Sequence, residues 1–388
     1  MSNSTLSSLS YFILGAYLHV GKLRYFCFMI TALLYIVIVV VNTSLIVIIC
    51  MNRSLHEPMY IFLCSLVVNE LYGSTGLFPM LLVQILSDIH TVPASFCFLQ
   101  IFCVYSYGSV EFCNLAVMSY DRYLAICCPL QYHTRMTFNK AVVFIAVIWL
   151  YSFVKFLITL SLNIRLPLCG NVMNSLYCHN YLVVKLACSD TKVNNIYGLF
   201  GIVLTILVPL LPILFSYMKI LKICFSGCRQ TRQKAFSTCT PHLVSLLNFS
   251  FGCVFEIVQS RFDMSSVPSV LRIILSLYFL IIQPLLNPIM YGLQMTKIRK
   301  TYKHLFCYKM LTGFEESNTD TIIKKAQQSM YFLFQLRKLN LPKELLIQLY
   351  IAIIQSVDPS VSDCERSVLL ELTDPIEWMK WWGVYMAA

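Results

Sequence analysis

The sequence predicts an all-α membrane protein, a seven-transmembrane helix bundle with a short amphipathic helix after the last span and a C-terminal extension of different character. Two observations lead to this fold class. The 388 residues are 58% hydrophobic and only 12% charged, whereas soluble domains carry about 25% charged residues. In addition, seven apolar stretches are each long enough for a helix to cross the hydrocarbon core. They are 26–51, 58–86, 97–121, 140–161, 196–223, 236–260 and 269–293.

Basic residues in the connections predict how the bundle is oriented. The loop after the second stretch has no Lys or Arg, whereas the connections on the other side carry Arg53, Arg135, Lys222 and Lys297 among others. The basic side faces the cytoplasm in such proteins, so residues 1–25 are expected outside the cell. Asn3 would then begin an exposed glycosylation sequon. No basic n-region or cleavage site precedes the first stretch, so we expect that stretch to be an uncleaved anchor.

Composition also argues against two other classes of site. The 17 Cys are scattered without the paired spacing of a zinc site, so we expect no metal site of that kind. The net charge of +11 does not by itself indicate a nucleic-acid partner.

After the last stretch, 297–309 alternates Lys and Arg with apolar residues at helical spacing. This pattern predicts an amphipathic helix on the inner membrane surface.

Two acidic residues are predicted at mid-depth in neighbouring helices. Glu111 lies between Cys97 and Arg122, which are roughly 37 Å apart along a helix, about one bilayer. Glu70 lies twelve residues after Pro58. A carboxylate at the membrane centre costs at least about 2.5 kcal/mol, so such a residue is a functional candidate. The two acids could share a proton, hold a cation such as Na⁺, or be neutral acids that hydrogen-bond the bundle.

Four Cys are expected at the outer end of the bundle. Cys97 begins the third stretch, and Cys169, Cys178 and Cys188 lie in the long loop before the fifth. An oxidising compartment favours disulfides there. Spacing alone leaves three pairings open.

Five motifs then occur in order along the chain: PMYIFLCSLVVNE (58–70), MSYDRYLAICCPLQYHT (118–134), SYMKIL (216–221), KAFSTCTPHL (234–243) and PLLNPIMYGL (284–293). Over about 10–310 the chain resembles the odorant receptors, a branch of the rhodopsin-like G-protein-coupled receptors, and looks closest to those of fish. The resemblance implies no enzymatic activity and no cofactor, apart from Na⁺ at Glu70 and Glu111. It implies an odorant ligand and a G protein of the olfactory Gs type acting through cyclic AMP, in the plasma membrane of olfactory cilia.

The resemblance assigns roles at the cytoplasmic end. Asp121, Arg122 and Tyr123 match a switch in which Arg122 is held by Asp121 at rest and meets the G protein when the sixth helix moves out. A second switch motif in the seventh stretch, with a partner in the fifth, corresponds to Asn287, Pro288, Tyr291 and Tyr217.

The resemblance also implies two disulfides and a sodium site. Cys97–Cys178 matches the bridge between the third helix and the long loop, and Cys169–Cys188 would be a second bridge. Glu70 and Glu111 match the family's sodium-site acids, although Glu70 replaces the usual Asp and leaves room for another cation or a proton.

The ligand is expected in the outer half of the bundle, between the third, fifth, sixth and seventh helices. The candidate pocket residues are Val104, Tyr105, Gly108, Ser109, Phe255, Glu256 and Gln259. Gly108 leaves space for a ligand, and the charge of Glu256 could pair with an amine. Alternatively, Glu256 pairs with Lys155 or Arg272, or reaches water.

The segment 311–388 differs from the receptor-like part. Residues 324–357 resemble the end of LINE-type reverse transcriptases, but the polymerase's catalytic Asp pair is missing. We therefore expect a fused fragment without polymerase activity, the alternative being a regulatory tail with a membrane-associating helix.

Two other functions stay open for the whole protein: a cation or proton transporter using Glu70 and Glu111, and a non-functional receptor fusion. No internal repeat of the kind common in transporters is found.

Overall fold

In the part of the chain that the structure describes, seven long helices make up the fold. The computed structural model describes residues 11–19, 24–226, 229–261, 269–295, 297–299 and 301, with the backbone alone in parts of the last three helices. The first four helices are Arg24–Met51, Pro58–Leu86, Ala94–Cys127 and Phe138–Ile164. The fifth consists of Lys192–Ile202, a π-helical turn Val203–Leu207, and Val208–Ser226; the sixth and seventh are Arg229–Arg261 and Ser269–Gln294.

Length and hydropathy identify this bundle as a multi-pass membrane protein. Within the described residues, six of the helices are long and apolar enough to cross a membrane. The seventh has 26 residues and is also long enough, at 1.5 Å per residue. Large apolar side chains face outward where lipid would be, as on the fourth helix, where Leu150 is 65% exposed. The predicted fold class is therefore confirmed.

The helices differ from the apolar stretches mainly at the ends that the sequence predicts to be cytoplasmic, called the cytoplasmic ends below. The third helix continues to Cys127 rather than ending at 121, and the sixth begins at Arg229 rather than 236. Hydropathy marks the part of a helix inside the hydrocarbon core, whereas hydrogen bonding within the helix continues into water. Asp121 and Arg122 therefore lie inside a helix, which continues for five residues beyond Arg122, about one and a half turns.

A proline in the seventh helix explains the role of a polar residue in the first. Pro288 has no N–H to donate to the carbonyl of Pro284, four residues earlier. Asn42 is fully buried, and its Nδ2 donates to that carbonyl over 2.8 Å. The side chain thus satisfies the acceptor that the proline leaves unpaired and joins the first helix to the seventh.

Three short strands cover part of the end that the sequence predicts to face outside the cell, called the outer end below. Tyr11–Leu14 is the central strand and pairs antiparallel with Thr91–Pro93 and parallel with Val172–Met173. Phe12 and Leu14 are fully buried beneath the sheet. The N-terminal segment is thereby fixed to the first outer loop and to the long outer loop.

Several predictions fall wholly or partly outside the described residues. Asn3 and all of 302–388 belong to this group. Of the predicted amphipathic helix, residues 297–299 and 301 are described and are helical. Ile298 is buried, while Lys297 and Arg299 on either side are exposed. The amphipathic helix as a whole stays a prediction.

Candidate functional site

The third helix carries parts of three polar or cavity-forming regions at different depths. Tyr105 lies at an outer cavity, Glu111 in a buried polar cluster at the middle of the helix, and Arg122 at the cytoplasmic end. Tyr105 and Arg122 are separated by roughly 25 Å along the helix axis. A rigid helix therefore connects the outer and inner regions.

The outer cavity has a volume of about 150 Å³. The third, fourth, fifth and sixth helices surround it, together with residues 177–181 of the long outer loop. Among the described lining residues, the fourth helix therefore takes the place expected for the seventh. Its lining on the fourth and fifth helices includes Lys155, Phe156, Thr159, Gly198, Gly201 and Thr205. A Cβ at Gly201 would meet no atom within 4 Å, so the missing side chain leaves open space here.

Four of the seven predicted pocket residues line this cavity: Val104, Tyr105, Gly108 and Glu256. Two others do not. Ser109 is fully buried behind the cavity. Phe255 is not in the lining, because Cys253, Glu256 and Ile257 form the facing side of the sixth helix at helical spacing. The side chain of Gln259 lies outside the described residues.

Glu256 is bound by the long outer loop. Its Oε1 lies 2.5 Å from Nε2 of His179 and accepts a hydrogen bond of 2.9 Å from the Tyr177 hydroxyl. Oε2 is buried and has no hydrogen-bond partner among the described residues. The alternative in which Glu256 pairs with Lys155 is thus wrong in this structure, since His179 and Tyr177 take its place. The side chain of Arg272 is not described.

Lys155 is a buried cation that the sequence analysis considered only as a partner of Glu256. It is 5% exposed, and its Nζ donates to Ser109 Oγ over 2.9 Å and to Thr205 Oγ1 over 2.7 Å. These contacts join the fourth helix to the third and to the π-helical turn of the fifth. A lysine within an apolar span was itself a signal for this site, because ionisable residues in membranes are functional candidates.

The two mid-depth acids meet in one cluster. Glu70 and Glu111 are fully buried. Nδ2 of Asn287 donates to Glu70 Oε1 over 2.5 Å and to Glu111 Oε1 over 3.0 Å. Asn69 donates to Glu111 Oε2 over 3.0 Å, and Tyr107 to Glu70 Oε2 over 2.9 Å. Two carboxylates that share one amide group need a proton or a cation between them to avoid repulsion.

Further groups complete this cluster. Gln283 donates to Glu111 and to Ser245, and Ser245 donates to Asn287 Oδ1 over 2.7 Å. The second, third, sixth and seventh helices therefore meet here. Oδ1 of Asn69 is buried without a hydrogen-bond partner in the part of the chain that the structure describes. Within that same part, no group of three or more His, Cys, Asp or Glu side chains could hold a metal ion.

A glycine permits the close approach of the second and third helices beside this cluster. A Cβ added at Gly73 would lie 2.5 Å from Cγ and Cδ2 of Tyr107. The Tyr107 ring is fully buried, and its hydroxyl is bound to Glu70. Gly73 is thus required for the position of a residue in the cluster.

At the cytoplasmic end, Asp121 binds two partners. Arg122 donates to Asp121 Oδ2 through Nη2 at 2.5 Å and Nε at 3.1 Å. Tyr132, at the start of the short helix Tyr132–Arg135, donates to Oδ1 over 2.9 Å. Asp121 is fully buried. Partial burial, with a contribution from Asp121, raises the pKa of the Tyr132 hydroxyl, so this group stays protonated and acts as a donor.

The second switch motif lies on the fifth and seventh helices. The hydroxyl of Tyr217 is hydrogen-bonded to Nδ1 of His242 on the sixth helix. The hydroxyl of Tyr291 is buried and has no hydrogen-bond partner among the described residues. Among the described residues, Tyr217 makes no hydrogen bond to the seventh-helix motif, so its expected partnership with that motif stays a prediction. The ring of Tyr123 packs on the rings of Tyr120 and Phe215.

Two disulfides lie at the outer end, Cys97–Cys178 and Cys169–Cys188. Beside the first, Oε1 of Gln100 accepts a hydrogen bond of 2.9 Å from the backbone N–H of Cys178. The two contacts fix Cys178 to the third helix. Its neighbours Tyr177 and His179 are thereby positioned next to Glu256.

Comparisons with known proteins identify relatives of most of the chain. A family model described as olfactory receptor matches residues 31–309. Human olfactory receptor 51E1 is 35% identical over 306 residues, which are 78% of this chain and 96% of the relative. Human olfactory receptor 51G2 is 33% identical over 311 residues, 79% and 98% of the two chains. Mouse olfactory receptor 8U3 is 32% identical over 308 residues, 78% and 95%.

The C-terminal extension matches a different family model. Residues 316–356 are similar to the one described as alkylated DNA repair protein alkB homolog 8, N-terminal. The expected likeness of 324–357 to a reverse transcriptase therefore stays a prediction. So does the expected closeness to fish receptors, because the relatives named above are human and mouse proteins.

Proposed function

Because this chain belongs to the olfactory receptor family, we propose that it is a receptor for a small odorant. The family consists of G-protein-coupled receptors and not of enzymes. The odorant binds in the outer cavity between the third, fourth, fifth and sixth helices. The receptor then activates a heterotrimeric G protein of the olfactory Gs type at its cytoplasmic face and raises cyclic AMP.

The observation that carries this proposal is the third helix itself. It contributes Tyr105 and Gly108 to the cavity wall, Glu111 to the buried cluster and the Asp121–Arg122 pair to the cytoplasmic end. A ligand that binds the cavity better in one conformation shifts the equilibrium of the whole bundle toward it. The ion pair at the inner end is the element whose opening would expose Arg122 to a G protein.

The experiment that tests this uses the full chain in cells that supply an olfactory-type G protein. Cyclic AMP is measured against a panel of odorants, with surface expression recorded for every variant. We expect a ligand-dependent rise that Arg122→Ala abolishes. Arg53→Ala is the matched control, because Arg53 is an exposed basic residue of the first inner loop. An odorant response that survives Arg122→Ala would contradict the proposed coupling.

We also propose that the N-terminus is extracellular and that the protein resides in the plasma membrane of olfactory cilia. The strand Tyr11–Leu14 pairs with loops at the end of the bundle that carries both disulfides. Disulfides persist in oxidising compartments, so this end is expected to face outside the cell. Asn3 would then be accessible for glycosylation. Loss of a mobility shift in an Asn3→Gln variant would test this.

For the buried cluster, we propose Na⁺ as the bound species. Glu70, Glu111 and the unpaired Oδ1 of Asn69 offer oxygen atoms in one fully buried region. The same acids favour a rival function, a cation or proton transporter. Cation flux that does not depend on a G protein would support the transporter and contradict the receptor.

The extension 311–388 is proposed to be a fused fragment that has no part in signalling. Sequencing the transcript tests whether it is translated together with the receptor. A chain truncated after residue 310, compared with the full chain, tests the non-functional fusion. Equal surface expression and equal cyclic AMP responses would show that the extension is neutral. A response in the truncated chain alone would indicate that the fusion is non-functional.

A further inference from the structure

We propose that the ligand of the outer cavity is a small organic anion whose carboxylate pairs with Lys155. The inference rests on the proposed function, since it names the chemical class of ligand for the same site. It starts from the depth of Lys155. The residue lies nine positions before the end of the fourth helix at Ile164, roughly 13 Å below that end. An ammonium group at this depth and 95% buried is expensive unless another charge compensates it.

The contacts of Lys155 orient the ammonium group without neutralising it. Both hydrogen-bond acceptors are hydroxyl groups, Ser109 Oγ and Thr205 Oγ1. Thr205 gives its own proton to the Gly201 carbonyl, and Ser109 also accepts from Ser152. Each hydroxyl therefore offers Lys155 a lone pair. Nζ has three donors, and two are used, so within the described residues the third has no acceptor.

Among the described residues, no carboxylate lies within ion-pair distance of Lys155 Nζ. Lys155 Nζ also lies over two aromatic rings, 4.7 Å from the centroid of Phe156 and 5.0 Å from the centroid of Tyr151. Aromatic faces attract a cation but carry no net charge. We infer that the counter-charge comes from another molecule.

The cavity gives such a molecule access to Lys155. Lys155 and Thr205 both line it. Thr205 belongs to the π-helical turn Val203–Leu207, and π-helical turns occur frequently at functional sites. Gly201, one helical turn before Thr205, keeps this wall free of a side chain. The ammonium group is thus fixed on three helices next to open space.

The charges in the lining favour an anion over an amine. Lys155 and Arg261 are cationic, and Glu256 is the single carboxylate among the described lining residues. The Glu256 carboxylate already has His179 and Tyr177 as partners. Arg261 lies over the Tyr181 ring, 4.6 Å from its centroid. Neither cation has a carboxylate partner among the described residues, and Lys155 is the one of the two that is buried.

The test compares ligands that differ only in their charged group. The probes are straight-chain carboxylates of about four to eight carbons, because a cavity of this volume holds a ligand of about benzene size. Alcohols and amines of equal chain length are the matched probes. Two readouts are used with the full chain: thermal stabilisation of the purified receptor, which needs no G protein, and cyclic AMP in cells.

Three variants separate recognition of charge from a purely structural role. Lys155→Met removes the charge and keeps the length of the side chain, Lys155→Arg keeps the charge, and Lys192→Met is the control at an exposed outer lysine. We expect the wild type to be stabilised by carboxylates at lower concentration than by the alcohols or amines. Lys155→Met should weaken the carboxylate effect by roughly 30-fold or more, as expected for one member of a buried charge pair. Lys155→Arg should retain most of it.

The possible outcomes distinguish this inference from the proposed function. Stabilisation by carboxylates without a rise in cyclic AMP supports the anion site and contradicts the proposed coupling. Stabilisation by alcohols or amines in preference to carboxylates overturns the anion site and leaves the receptor function standing. The anion site is also overturned if Lys155→Met folds and binds carboxylates as tightly as the wild type, or if no carboxylate stabilises the wild type.

Discussion

Tyr132→Phe should increase signalling in the absence of any ligand. The Tyr132 hydroxyl donates to Oδ1 of Asp121, while Arg122 uses Oδ2. Asp121 is fully buried, so phenylalanine would leave Oδ1 without a partner among the described residues. A hydrogen bond to a charged group contributes about 1.5–3 kcal/mol. The variant should therefore destabilise the arrangement in which Asp121 holds Arg122.

The size of the effect follows from a two-state equilibrium. A change of about 1.5–3 kcal/mol alters the equilibrium constant by roughly 10- to 150-fold. If about 1% of unliganded receptors are active, as is common for a minor state, the active share would rise to between about 10% and 60%. Cyclic AMP without odorant, normalised to surface expression, measures this share. Half-maximal odorant concentrations should fall in parallel.

The matched control is Tyr120→Phe. Tyr120 is on the same helix as Asp121 and packs against Tyr123, and its hydroxyl makes no hydrogen bond within the described part of the chain. It should leave unliganded signalling unchanged. Equal unliganded signalling in Tyr132→Phe and the wild type, at equal surface expression, would refute the reasoning. It would mean that Tyr132 stabilises both conformations alike.

Two further predictions concern the buried cluster. Gly73→Ala should lower the melting temperature of the purified receptor, because its Cβ would overlap the fixed Tyr107 ring and overpacking costs about 1–3 kcal/mol. Gly292→Ala is the control, because a Cβ at Gly292 would meet open space. Equal melting temperatures for the wild type and both variants would contradict the clash. Glu70→Gln and Glu111→Gln should each abolish the rise in melting temperature that NaCl produces relative to choline chloride; a sodium effect retained in both variants would exclude a site built on these acids.

Much of this protein can be predicted from local sequence patterns. An apolar stretch long enough to cross lipid must form a helix, because lipid offers no other partner for backbone groups. Counting along the third helix then predicts Glu111 at mid-depth and Arg122 at the inner interface. The motifs predicted the family, which the relatives confirm. Helix ends were less predictable, since hydropathy does not report where a helix stops in water, as the continuation to Cys127 illustrates.

The partners of the polar side chains depend on the tertiary structure. Glu256 binds His179, 77 positions earlier in the chain, and Lys155 binds Ser109 and Thr205, which are 46 and 50 positions away. Helical periodicity gives the face on which a side chain lies but not the rotation of one helix against the next. The sequence therefore indicated which residues are costly in a membrane. The packing of the helices decided that Glu256 has a protein partner for its charge, whereas Lys155 meets only hydroxyl groups and aromatic rings beside a cavity.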